Sequence, residues 1–146
     1  MGGESGMSAQ KTVLVVDDDE QLLRLIVRLL EGAGYRTQSA NDLPTALALF
    51  EASAPPIDLA LLDVQLADTT AGAAELLPLL QARSPGLEVV LMSGDALPES
   101  LEQALSAGGG RFLRKPFAPK ALLRLLAGPP GDPNVAGVDP SGRVGD

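Results

Sequence analysis

Pro56-Ile57-Asp58-Leu59-Ala60-Leu61-Leu62-Asp63 is the stretch that decides the fold. It is a short apolar run that enters through the Pro55-Pro56 pair and stops on a carboxylate. Such a run, bounded by turn signals, predicts a buried strand. In a parallel sheet, ligands gather at the carboxyl ends of the strands. Asp63 therefore marks a candidate site. A second run, Thr12-Val13-Leu14-Val15-Val16, ends on Asp17, Asp18 and Asp19. If the two strands are neighbours, several negative charges crowd one small mouth. Like charges a few ångströms apart cost roughly 4 kcal/mol per pair at an effective dielectric of about 20. Either the carboxylates take up protons or a cation sits among them. A hard divalent ion with oxygen ligands, such as Mg²⁺, suits the pocket. The plainer alternative is that Asp17 to Asp19 only cap the following helix, and one of them is expected to do so, because Asp is a favoured N-cap residue.

Working outward, Met1 to Gln10 is Gly/Ser-rich and reads as a flexible segment. After the strand at Thr12–Val16, a helix is expected over Asp19–Glu31, with Leu22, Leu25, Ile26, Leu29 and Leu30 at helical spacing. Gly32 and Gly34 end it. Tyr35–Ala40 reads as a more polar strand near a sheet edge. Asn41 or Asp42 caps a helix over Leu43–Ala52, with Pro44 in its first turn. Beyond Asp63, the loop Val64–Ala71 leads to a helix over Gly72–Arg83, in which Pro78 should cause a kink or a late start. Ser84-Pro85-Gly86 is a turn. A strand over Leu87–Met92 ends on Ser93-Gly94-Asp95, and a helix over Pro98–Ala107 stops in Gly108-Gly109-Gly110. A short strand, Arg111–Arg114, ends on Lys115-Pro116. The last helix is expected over Ala118–Ala127, with Leu122, Leu125 and Leu126 on its core face. From Gly128 the chain is rich in Gly and Pro and reads as a disordered tail.

Five strand–helix units in alternation predict one α/β domain over residues 11–127. It is a doubly wound, flavodoxin-like (βα)5 fold, a parallel sheet with helices on both faces. Composition narrows the chemistry. The 146 residues are enough for one core, and 45% of them are apolar. There are no cysteines and no histidines, which excludes thiolate or imidazole metal sites, a thiol nucleophile and a histidine phosphodonor. A net charge of −8 without a basic patch argues against direct nucleic-acid binding. No apolar run reaches membrane-spanning length and no signal pattern opens the chain, so a soluble cytoplasmic protein is expected.

The strand ends collect Asp17, Asp18, Asp63, Ser93 and Lys115 on one edge. An acidic cluster, a hydroxyl and a lysine suit phosphoryl transfer, which is mostly positioning and charge stabilisation. Asp63 could then attack phosphorus as a carboxylate nucleophile. On Leu14-Val15-Val16-Asp17-Asp18-Asp19, Leu61-Leu62-Asp63, Leu91-Met92-Ser93-Gly94 and Lys115-Pro116-Phe117, the chain resembles a response-regulator receiver domain of bacterial two-component signalling. The resemblance covers about Lys11 to Ala127. It implies that Asp63 accepts a phosphoryl group from a histidine kinase or phosphotransfer protein. It implies Mg²⁺ bound by Asp18 directly, by Asp17 through water, by Asp63 and by the main-chain carbonyl of Gln65. Ser93 matches the switch hydroxyl, Lys115 the phosphate-contacting lysine and Phe112 the switch aromatic. The Lys115-Pro116 bond is implied to be cis. Phosphorylation is implied to pull the hydroxyl inward, bring the aromatic in behind it and change the face of helix four, strand five and helix five.

The chain departs from the family in the loop after Asp63. Leu66 and Ala67 stand where the family often has Met-Pro, and the loop glycine falls at Gly72, one position late. That loop is expected to be longer or differently shaped, which leaves a pseudo-receiver that no longer takes phosphate as one alternative. Gly94 should leave the phosphate side open. Phe117 reads as core, Phe112 could be no more than core, and Arg111 and Arg114 read as solvated or as part of a charged dimer surface. The module is expected to bind partners, either alone or as part of a hybrid kinase or longer regulator, as a monomer or weak homodimer. It is not expected to be an enzyme beyond its own phosphorylation chemistry. The rival from the enzyme class is a small haloacid-dehalogenase-like phosphatase with Asp17 as nucleophile and Asp19 as general acid. Against it, the chain lacks a cap segment and has no acidic pair after the fourth strand. A flavodoxin-like cofactor binder fails because three acids occupy the loop that would cradle a phosphate.

Overall fold

The computed structural model describes residues 11–53, 56–66, 71–107 and 110–127. The expected flexible Met1–Gln10 segment, the tail from Gly128 and residues 67–70 of the loop after Asp63 lie outside the described residues. Strands β1 (Thr12–Val16), β2 (Arg36–Ala40), β3 (Leu59–Asp63), β4 (Glu88–Ser93) and β5 (Arg111–Arg114) alternate with helices. These are α1 (Glu20–Gly32), α2 (Leu43–Ala52), α3 (Ala71–Arg83), α4 (Glu99–Ala107) and α5 (Pro119–Ala127). All strand pairs are parallel, in the order β2-β1-β3-β4-β5. The direction of winding reverses between β1 and β3, which opens a crevice at their carboxyl ends.

Strand periodicity divides the core. Leu14, Val16, Ala60, Leu62, Leu91 and Phe112 face α2, α3 and α4. Val13, Val15, Leu59, Leu61, Met92 and Leu113 face α1 and α5. Central strands with helices on both faces must be apolar at every position, which is why β1 and β3 read as unbroken runs. Polar β2 lies at an edge, as expected.

The helix starts follow local chemistry. Asp19 caps α1, its carboxylate accepting from the amides of Gln21 and Leu22. Asp42, not Asn41, caps α2 through the Thr45 amide, at 2.8 Å. Gly34, with φ at +98°, turns the chain from α1 toward β2, a conformation that favours glycine.

Several expectations need correction. Pro78 does not delay the start of α3, which begins at Ala71 and continues through it to Arg83. Pro78 and Ala74 are both exposed, so the carbonyl that loses its amide partner is open to water. In α1 the buried stripe is Leu23, Ile26 and Leu30, while Leu25 is 47% exposed. Arg111 is not solvated but buried, at 2% exposure. Its side chain donates to the Leu125 carbonyl in the last turn of α5, where helix carbonyls lack amide partners. Phe117 is half-buried rather than core.

Two glycines give opposite expectations. A β-carbon on Gly110 would collide with Leu105 Cδ1 and stand 3.1 Å from the Val89 carbonyl, whereas one on Gly94 would meet nothing within 4 Å. Gly110→Ala is expected to lower stability by about 1–3 kcal/mol. Gly94→Ala should stay within about 0.5 kcal/mol. Urea midpoints of the two variants check both values.

Candidate functional site

β1 delivers Asp17 to the crevice fully buried, with its amide bonded to the Ala40 carbonyl at 3.1 Å. Asp18 follows, exposed, and Asp19 turns away to cap α1. Three successive acids thus have three different environments. β3 delivers Asp63, 5% exposed, beside Asp17. Carboxylate oxygens of Asp17, Asp18 and Asp63 all lie within 4.8 Å of one another. At an effective dielectric of about 20, each such pair repels by about 3.5 kcal/mol.

Lys115 answers part of that charge. Its Nζ donates to Asp17 Oδ2 at 2.9 Å and lies 3.3 Å from Asp63 Oδ1. Main-chain amides supply more. The Asp19 amide donates to Asp17 Oδ1 at 2.9 Å, and the Gln65 amide to Asp63 Oδ1 at 3.2 Å. One ammonium and two amides do not fully compensate three carboxylates. Burial, and then the Asp17 charge, push the Asp63 carboxyl up to about 6, against the pull of Lys115 and the Gln65 amide. Burial works against the Lys115 ammonium. Hydrogen bonding and charge from Asp17, then Asp63, outweigh it and hold the ammonium above its ordinary range. A compact set of carboxylate oxygens, two of them on buried side chains, fits a hard divalent cation.

β4 and β5 build the opposite wall. Ser93 is buried, and its Oγ accepts from the Asp95 amide at 3.0 Å. The Lys115 amide donates to the Ser93 carbonyl at 2.8 Å, so strand pairing itself sets lysine against serine. The Lys115-Pro116 peptide is cis, as expected. Arg114 Nε reaches the Gly94 carbonyl at 3.2 Å. Gln65 is exposed, and its side-chain amide donates to Asp95 at 3.3 Å, linking the loops after β3 and β4 across the mouth. Phe112, at 3% exposure, shares a cluster with Leu97, Leu101 and Leu105 of the α4 region. Gly72 packs under Leu66, where a β-carbon would sit 3.3 Å from Leu66 Cβ. Ala67 lies outside the described residues, so the expected change of loop shape is described only at Leu66 and Gly72.

Beside the crevice is a groove of about 610 Å³ lined by Leu22, Leu25, Gly94, Lys115, Pro116 and Phe117. The sequence reading assigned Leu25 and Phe117 to the core and missed this groove. The available signal was the breadth of the α1 apolar face. Leu22, Leu23, Leu25, Ile26, Val27, Leu29 and Leu30 cover more of the helix than one core stripe requires.

Comparison with known proteins gives a consistent picture. The family model described as response regulator receiver domain matches residues 13–127. The chain is 33% identical over 111 residues to the nitrogen assimilation regulatory protein NtrX of Azorhizobium caulinodans, covering 76% of this chain and 24% of that protein. It is 34% identical over 117 residues to the probable transcriptional regulatory protein TcrX of Mycobacterium tuberculosis, covering 80% and 48%. The chain thus spans about a quarter to a half of the curated relatives it matches. Among solved structures it is similar to a CheY-like response regulator receiver domain protein from Methanospirillum hungatei. That match has a TM-score of 0.71 and 31% identity, over 81% of this chain and 91% of that one. Among the described residues, no helix is long and apolar enough to cross a membrane.

The Asp63 environment predicts a pH-dependent stability. With its carboxyl raised from 3.8 to about 6, the folded state holds a proton that the unfolded state releases near pH 4. Stability therefore falls as pH rises from about 4 to 6. Above that window the charged group disfavours the fold by up to about 3 kcal/mol. In EDTA at pH 7.5, Asp63→Asn is expected to melt higher than the unchanged protein. The difference should close toward pH 4, and melting curves across pH check it.

Proposed function

This chain belongs to the response-regulator receiver family, and we propose that Asp63 is its phosphoacceptor, with the receiver unit spanning residues 11–127. The observation that carries this reading is the Lys115 ammonium bridging Asp17 Oδ2 and Asp63 Oδ1, at 2.9 and 3.3 Å, beside Asp18. The donor is a phosphohistidine on a histidine kinase or phosphotransfer protein. As the Asp63 oxygen forms its bond to phosphorus, the P–N bond breaks and the imidazole leaves with the electron pair. Asp17, Asp18, Asp63 and the Gln65 carbonyl are the proposed holders of Mg²⁺, which when bound offsets charge on the phosphoryl oxygens. Lys115 is placed to trade its carboxylate contacts for a phosphoryl oxygen. Ser93 Oγ spends a lone pair, not its proton, on the Asp95 amide, so its O–H can donate to the phosphoryl group. A nucleophilic Asp17, as the phosphatase alternative requires, is disfavoured. Both its oxygens are engaged, by the Asp19 amide and by Lys115.

The phosphoryl group carries about −1.5 to −2 charges in place of the single Asp63 carboxylate charge, so the crevice becomes more negative and the charge moves outward, which biases a two-state element. Ser93 and Phe112 are the proposed moving parts. Phe112 is already buried, in the cluster that holds Leu97, Leu101 and Leu105, and a shift of Ser93 and Phe112 would be read out on α4, β5 and α5. The groove lined by Leu22, Leu25, Pro116 and Phe117 is the proposed seat of the phosphodonor, because it opens beside Lys115. The output is a protein contact, or a further domain of the kind implied by the longer transcriptional regulators among its relatives. The negative net charge argues against DNA contact by this unit itself.

Acetyl phosphate with Mg²⁺ tests the acceptor. Intact mass should show a single added phosphoryl group on the unchanged protein and none on Asp63→Asn. Sustained phosphate release from phosphate esters would instead revive the phosphatase alternative. Leu25→Asp tests the groove. It should slow transfer from a phosphohistidine donor about tenfold or more, since burying a leucine stabilises by roughly 1.5–3 kcal/mol, and leave acetyl phosphate labelling within about twofold.

A further inference from the structure

Among the described residues, the buried polar and charged side chains are Thr12, Asp17, Asp63, Ser93 and Arg111. Asp17, Asp63 and Ser93 belong to the crevice. Arg111 does not, and it is the cation of the set. It begins β5, opposite Val90 in the sheet, at the far end of the strand from Lys115. It forms no ion pair among the described residues. Its Nη1 donates to the Leu125 carbonyl, and its Nη2 is buried with no hydrogen-bond partner among the described residues. A charge taken out of water needs compensation, and here that comes from one carbonyl at the negative end of α5.

The strand that makes this contact also serves the crevice. Arg114 stands opposite Ser93 in the ladder, and the Lys115 amide holds the Ser93 carbonyl. We propose that Arg111 couples the crevice to the end of α5. Phosphorylation of Asp63 draws β5 toward the phosphoryl group, parts Arg111 from the Leu125 carbonyl and loosens the last turn of the helix. The inference rests on Asp63 being the acceptor, and it names the residue that carries the change to α5.

Geometry sets the direction. Lys115 and Ser93 reach for phosphoryl oxygens that lie beyond the strand ends, and β5 follows Lys115. α5 returns along the sheet, so its last turn lies at the start of β5. Only the final carbonyls of a helix lack amide partners. Arg111 therefore moves away from the free carbonyl and toward carbonyls already engaged within the helix. Hydrogen bonds of this kind extend to about 3.2 Å, so a shift of about 1 Å is enough to break one. The guanidinium would then be buried with no acceptor, and an unsatisfied buried donor costs more than a made bond contributes. The response to a small shift is steep for that reason.

Hydrogen exchange of the α5 last turn, Arg124 to Ala127, tests the coupling on the full chain. It is measured with and without acetyl phosphate and Mg²⁺, and intact mass reports the labelling. In the unchanged protein, labelling is expected to speed exchange there at least about threefold. In Arg111→Met, labelled and unlabelled protein should exchange alike while Asp63 still gains its phosphoryl group. Met matches arginine in length and buries no charge, so this variant is expected to fold. Arg111→Lys, which keeps a charge and a donor, should restore the difference. Labelled protein whose α5 exchange is unchanged or slower overturns the coupling and leaves the acceptor assignment standing. So does a difference that survives in Arg111→Met, or one that is lost in Arg111→Lys as well, which would assign the effect to packing. A failure to gain the phosphoryl group overturns the acceptor assignment, and the coupling with it.

Discussion

Two buried carboxylates facing one half-buried ammonium is the interaction on which this molecule turns. Asp17 and Asp63 are held within a few ångströms of each other although their repulsion opposes it. Lys115 relieves part of that repulsion without removing it, and the Asp63 carboxyl is raised as a result. A pocket left short of positive charge, with three carboxylates close together, fits a divalent cation. The same deficit that weakens the fold at neutral pH therefore equips the crevice for chemistry.

The scaffold can sustain this because the charges sit at the ends of its most buried strands. β1 and β3 are buried along their whole length and covered on both faces, so Asp17 and Asp63 have little freedom to move apart. Lys115 is fixed independently, through the bond between its amide and the Ser93 carbonyl at the end of β4. The wall that holds the lysine is thus also the wall that carries Ser93. Phe112, on β5 three residues before Lys115, belongs to the same buried cluster as Leu97, Leu101 and Leu105.

The periphery is less constrained. Leu25 and Phe117 line an apolar groove next to Lys115, and Arg24 and Arg28 line a second groove on the other side of α1. One helix therefore serves the core with one stripe and presents two different surfaces on its flanks. Gln65 and Asp95 join the loops above the crevice through an exposed side-chain bond, a weak contact compared with the buried ion pairs beneath it.

Element order, the parallel sheet and the convergence of Asp17, Asp18, Asp63, Ser93 and Lys115 were legible in the chain itself. Each of those residues lies at or just past the end of a strand, and strand ends in a parallel sheet share one edge. Asp19 and Asp42 were legible as caps for a similarly local reason, since a cap satisfies amides two or three residues away. What residue order could not decide was burial at positions whose neighbours are distant in sequence. Leu25 fits helical spacing as well as Leu23 does, but only the seating of α1 between β2 and α5 turns one inward and the other out. Arg111 reads as a surface residue until the last turn of α5 brings the Leu125 carbonyl to it. Pro78 looks like a helix breaker until the face it lies on proves to be exposed. Local patterns determined which elements form and where their ends point. Tertiary packing decided which side chains were taken out of water, because burial depends on how whole elements are juxtaposed rather than on neighbours along the chain.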